Sequence, residues 1–66
     1  MHTVVLTFTK GFAVTCHESE EQARKRVRNH ENNLSLISAA IYGPSGEINC
    51  YAEGRGRAVV HKLARV

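Results

Sequence analysis

Apolar side chains alternate with polar or small ones in two separate stretches of this chain, and a period of two commits both to antiparallel sheet. Over residues 3–9, Val4, Leu6 and Phe8 alternate with Val5, Thr7 and Thr9; after a short break, Phe12, Val14 and Cys16 alternate with Ala13 and Thr15. Parity selects the turn between them. A three-residue loop, Thr9-Lys10-Gly11, pairs Phe8 with Phe12, Leu6 with Val14 and Val4 with Cys16 on one face, with Gly11 at a position that wants positive φ. The second stretch sets Ile37, Ala39 and Ile41 before Gly43-Pro44-Ser45-Gly46 and Ile48, Cys50 and Ala52 after it. A four-residue loop there pairs Ile41 with Ile48, Ala39 with Cys50 and Ile37 with Ala52. It seats Pro44 second in a type I turn and leaves Gly46 free to take positive φ. Leu34 and Leu36 break the parity, so one edges the core while the other reaches the far face.

Between the hairpins, Ser19-Glu20-Glu21-Gln22 has the form of a capping box: a serine acceptor, an acidic first turn and a glutamine reaching back to the cap amide. It predicts a helix over residues 20–32, stopped by Asn32-Asn33. Glu20 with Arg24 and Glu21 with Lys25 form i,i+4 pairs. Its apolar stripe is only Ala23 and Val27 with His30 at the edge, so it leans on the sheet through small residues, while Arg24, Lys25 and Arg28 project on the opposite arc. Beyond Gly54-Arg55-Gly56-Arg57, Val59, Leu63 and Val66 recur at helical spacing and predict a short terminal helix. A fifth strand over residues 58–61 is the rival, because Val59-Val60 suits it equally.

The expected fold class is therefore α+β: two antiparallel hairpins with one helix packed across one sheet face, in the order β-β-α-β-β, then a short C-terminal helix or strand. The expected core on that face is Leu6, Phe8, Phe12, Val14, Ile37, Ala39, Ile41, Ile48 and Cys50. Sixty-six residues make a single small domain. A domain of this size buries only about 60% of the surface its unfolded chain exposes, leaving little to wall off a deep substrate cavity. Binding is the expectation, not catalysis.

The residues agree with that expectation. Cys16 and His17 are adjacent on a strand and point to opposite faces, so they cannot form a nucleophilic dyad. The six glutamates form no catalytic pair, and no short spacing among Cys16, His17, His30, Cys50 and His61 matches a zinc site. No cofactor or metal is expected. A Cys16–Cys50 disulfide would require adjacent strands. The apolar run Val4-Val5-Leu6 is broken by Thr7, Thr9 and Lys10, and no segment is long and apolar enough to span a bilayer, so a reduced, cytoplasmic chain is expected.

Nine Lys and Arg against six Glu and no Asp give a net charge of +3. Arg24, Lys25 and Arg28 on the helix, and Arg55 and Arg57 in the glycine-flanked loop, are the candidate contacts for an acidic protein face or for phosphates, since guanidinium forks grip either. Tyr42 and Tyr51 on the outward sheet face are candidate anchors, able to stack on bases or to enter a protein interface. Residues 54–64 look like the end of a double-stranded RNA-binding domain, but Ala58-Val59-Val60 stands where that family carries tandem lysines.

The opening strands, the Ser19 cap with Gln22-Ala23-Arg24-Lys25, and the closing hairpin around residues 43–46 together resemble small phage-encoded anti-CRISPR inhibitors. The resemblance implies a helix crossing an antiparallel sheet, no active site, and a stoichiometric inhibitor that docks on a protein subunit of a nucleic-acid-handling host complex. It carries over no site residue. The alternative is direct nucleic-acid binding by the basic helix face and the Gly-Arg loop. No membrane partner is expected, and a homodimer is compatible with so small a core.

Overall fold

The computed structural model describes residues 1–64 and joins both alternating stretches into one four-stranded antiparallel sheet. Strands β1 (His2–Phe8), β2 (Gly11–His17), β3 (Leu36–Tyr42) and β4 (Ile48–Glu53) lie in the order β2-β1-β3-β4. Helix α1 (Glu20–Arg28) joins the hairpins and α2 (Arg57–Ala64) follows them. This is the α+β arrangement expected, with the C-terminal element resolved as a helix. Val66 of its predicted stripe lies outside the described residues.

Both helices cover the same sheet face. Ala23 and Val27 of α1 and Val59, Val60 and Leu63 of α2 share one buried cluster with Val4, Leu6, Leu36, Ala39, Ile41, Cys50 and Ala52, and Phe8 packs against it. Leu6, Leu36 and Ile41 are the largest fully buried side chains, each worth about 1.5–3 kcal/mol of burial. Leu36 enters the core and Leu34 is exposed, which resolves the broken parity.

The register of the first hairpin differs from expectation. Phe8 pairs with Gly11, Thr7 with Phe12, Val5 with Val14 and Thr3 with Cys16, so the loop is the two residues Thr9-Lys10. Phe12, Val14 and Cys16 consequently leave the core for the open face, and Ala13, Thr15 and His17 turn inward. The shorter loop carries the ladder with β1 on to Gly11 and sets Ala13 and Thr15, smaller than Phe12 and Val14, on the side that α1 covers; the Thr9 amide, turned to β3, donates to the Ser35 carbonyl at 2.9 Å. Gly11 accordingly has no positive φ.

In the second hairpin the inward set Ala39, Ile41, Cys50 and Ala52 is as expected, but its partners shift by two. Ile41 pairs with Cys50, Ala39 with Ala52 and Tyr42 with Ile48. The loop spans residues 43–47; the Gly46 amide closes on the Gly43 carbonyl at 3.0 Å around Pro44, and Gly46 takes φ 87° as expected. Asn49 is the extra residue of a bulge. The bulge turns Ile48 outward, out of the expected core, and Asn49 donates to Glu20 Oε1 at 3.4 Å. Ile37, also expected in the core, is half-buried beside the irregularity between β1 and β3.

Helix α1 begins as expected: the Ser19 hydroxyl accepts from the Gln22 amide, although Gln22 Oε1 accepts from the Glu18 amide instead of the cap amide. It ends at Arg28, four residues early. Asn33 explains this, because its side chain accepts the Ser35 amide at 3.0 Å and faces His30 Nδ1 at 3.4 Å, while i→i+3 bonds from His30, Glu31 and Asn33 tighten the chain into turns.

Candidate functional site

Cross-strand partners point to the same side of a sheet, so the register maps the face the helices leave open. One row across it reads Phe12, Thr7, Ser38, Glu53; the next Val14, Val5, Ala40, Tyr51; the third Cys16, Thr3, Tyr42, Ile48. Of the large side chains, Phe12 and Val14 stand on one outer strand and Ile48 and Tyr51 on the other, while Tyr42 stands on the inner strand β3 among smaller residues. Phe12 is 73% exposed, Val14 53%, Ile48 55% and Tyr51 53%; Tyr42 is half-buried and Ala40 buried. Glu53 is the one carboxylate and there is no cation in the three rows. Partial desolvation and then the nearby Glu53 charge hold the Tyr51 hydroxyl above the ordinary tyrosine range, so Tyr51 is a neutral phenol at physiological pH.

The candidate residues thus divide between two sides. Tyr42 and Tyr51 are on the open face, while Arg24, Lys25 and Arg28 belong to α1 on the other. Arg24 is not on a solvent arc. Its side chain, 23% exposed, donates from Nη1 to the Leu63 carbonyl at 2.7 Å, from Nη2 to Cys50 Sγ at 2.9 Å and from Nε to Glu20 at 3.3 Å. It clamps α1 to α2 and β4. Lys25 and Arg28 are exposed. Glu20–Arg24 is the ion pair found among the described residues, and the expected Glu21–Lys25 partner is not.

The Gly-Arg-Gly-Arg segment is the turn from β4 into α2. The Gly54 amide donates to the Ile37 carbonyl and the Gly56 amide to the Leu36 carbonyl, both at 2.9 Å. Gly56 has φ 47°, and a Cβ there would lie 3.1 Å from the Asn33 carbonyl oxygen, so glycine is required by the close approach of the α1–β3 loop. Arg57 donates to Asn32 Oδ1 at 3.3 Å, and Arg55 is exposed. The glycines serve the backbone, and only the arginines are free to serve a ligand.

An open cleft of about 250 Å³ lies between the helices, with Val27, Ile41, Val60 and Leu63 along its floor and Glu20, Arg24 and Arg28 at its rim. Cys16 is exposed and Cys50 buried, both free, on opposite edge strands and opposite faces; this excludes the disulfide and corrects the placement of Cys16 in the core. His17 turns from Cys16 and its Nε2 lies 2.8 Å from Thr15 Oγ1. Among the described residues no three His, Cys, Asp or Glu side chains come close enough to hold a metal ion, and no helix is long and apolar enough to cross a membrane.

Phe12, Val14 and Ile48 are the residues that sequence reasoning missed as surface. The available signal was in β2, whose inward set Ala13, Thr15 and His17 suits a strand lightly covered by a short helix. Compared with known proteins, the chain matches no family model, no curated protein and no solved structure.

Proposed function

We propose that this is a non-enzymatic binding protein whose contact surface is the open sheet face, docking on a protein subunit of a nucleic-acid-handling host complex in the manner of small phage inhibitors. The supporting observation is two pairs of large side chains, Phe12 and Val14 on β2 and Ile48 and Tyr51 on β4, left half or more exposed on the same face. Four strands of six or seven residues, at about 3.3 Å per residue and about 4.8 Å between strands, give the face a plan area of roughly 440 Å², polar Thr3, Thr7, Ser38 and Glu53 included. Exposed apolar clusters of this kind often mark an interaction site.

The partner's chemistry follows from the face. Its apolar flanks on β2 and β4, with Tyr42 between them, accept an apolar element, and Glu53 at one corner calls for a basic group opposite. A nucleic-acid strand fits less well, since stacking platforms interleave aromatics with cations and here the two lie on opposite sides. The alternative, nucleic acid on the helical side, is favoured by exposed Lys25, Arg28 and Arg55.

Affinity capture from host lysate, with and without nuclease, separates these readings. A protein retained after nuclease and moderate salt, and lost with Phe12→Ser or Tyr51→Ser but not with Lys25→Ala/Arg28→Ala, is the expected result. Loss of all bound material on nuclease treatment, with log affinity falling about 0.9 per phosphate contact per log salt, refutes it in favour of nucleic acid.

A further inference from the structure

Among the described residues strand β2 is an edge, touching only β1 and α1. Natural edges are blunted by charge, proline or a bulge. From Gly11 to His17 there is no Lys, Arg, Asp, Glu or Pro, and its seven-residue ladder with β1 runs without a register shift. The opposite edge, β4, carries the Asn49 bulge and ends in Glu53.

The Thr9 amide bonds Ser35 of the β3 side, so odd-numbered β1 residues face β3 and even-numbered ones face β2. The partners of the even residues are Gly11, Ala13, Thr15 and His17. Phe12, Val14 and Cys16 therefore aim their backbone N–H and C=O groups outward.

We propose that a second copy of this chain pairs antiparallel with this edge, on a two-fold axis at Val14. In that register Val14 meets Val14 of the second copy and Phe12 meets Cys16 at both ends, so all three outward residues on each strand exchange bonds, about six in total. Side chains keep to their own faces because each pair has the same parity. One step further out, Lys10 of each copy faces Glu18 of the other. Both are exposed, and neither has an ion-pair partner within the protomer among the described residues. This charge complementarity, repeated at both ends by symmetry, selects the register and a second copy as the occupant. The product is an eight-stranded sheet with the helices on one side and, on the other, the two open faces side by side, about 880 Å² in plan with their polar residues included. The pairing stands without the proposed function, since it leaves the open face uncovered.

Sedimentation velocity on the full chain, across micromolar to millimolar concentration, tests it. The expected species has twice the 7.3 kDa chain mass. Lys10→Glu or Glu18→Lys alone weakens the dimer about tenfold, and the double exchange restores it to within about threefold, because the like-charge contacts become opposite again. Val14→Pro removes an outward N–H that the protomer does not use, and yields a folded monomer. A monomer at every concentration overturns the proposal, as does a dimer indifferent to the single charge changes, a double exchange without recovery, or a folded Val14→Pro that still dimerises. The charge variants alter only exposed side chains and keep the test valid if Val14→Pro does not fold.

Discussion

Replacing Arg24 by methionine keeps the packed stem of the side chain and removes the guanidinium fork. The Nη1 bond to the Leu63 carbonyl, at 2.7 Å, is charge-assisted and sits in the last turn of α2, where a cation also meets the negative end of the helix. Bonds to charged groups are worth about 1.5–3 kcal/mol when partly shielded, and the exposed contact with Glu20 adds about 0.3–0.5 kcal/mol. Discounting for the solvent that reaches the side chain, Arg24→Met costs about 1.5–2 kcal/mol. With an m-value near ~1 kcal/mol/M for so short a chain, the urea midpoint falls by about 1.5–2 M. Arg28→Met is the control: an exposed cation with no bond among the described residues, expected to change stability by less than about 0.5 kcal/mol. Urea unfolding followed by circular dichroism measures both. Equal midpoints for the two variants, or an Arg24→Met chain as stable as wild type, would refute the clamp and return Arg24 to the solvated surface.

Three further outcomes are expected. Gly56→Ala should cost more than about 1 kcal/mol, since it combines positive φ with a 3.1 Å approach to Asn33, whereas Gly11→Ala, with open space around it, should be neutral or slightly stabilising by thermal melting. Burial, and then the charge of Arg26, hold the His30 pKa below 6.5, so the folded chain favours neutral imidazole, in keeping with its contacts to Phe8 and Asn33. Its stabilising contribution is complete above pH 6.5 and is lost as pH falls through the folded pKa; an NMR titration of His30 above 6.5, or an unchanged acid limb of stability in His30→Gln, would contradict this. Ala23→Leu should destabilise by about 1–3 kcal/mol through overpacking between α1 and the sheet, read as a lower urea midpoint, and an unchanged midpoint would mean the contact is loose.

The elements were legible because each carries a local cause. Ser19 caps a helix wherever it lands, Pro44 and Gly46 make their turn from their own backbone preferences, and the period of two survives any register. Register was less legible, because it depends on groups distant in sequence. A loop of two residues in place of three turns Phe12 outward, and nothing within residues 9–11 decides between them; Glu20 receives Asn49 at the bulge that turns Ile48. Arg24 was misread although its place was legible: at 100° per residue it stands about 60° from Val27, on the flank of the apolar stripe, and what the helix alone does not show is the Leu63 carbonyl and Cys50 thiol that hold it there. The two tyrosines were placed outward correctly, since neither shift in pairing changes their parity against Ile41, Cys50 and Ala52.

The strand order has a kinetic corollary. Strand β1 is a central one, yet its second neighbour is not complete until residue 42: Thr7 waits for Ser38 and Thr3 for Tyr42. The β1–β2 ribbon can zip locally in about 1–10 μs, but a lone two-stranded ribbon is at best marginal in water. A stable sheet therefore needs β3 to arrive across the intervening helix, and lengthening the segment between α1 and β3 should slow folding gently, since each doubling of a flexible loop adds only about 0.6 kcal/mol to closure. Until that arrival, Val4 and Leu6 have no floor to rest on, and a nascent chain stalled before residue 36 offers its central strand to whatever is nearest.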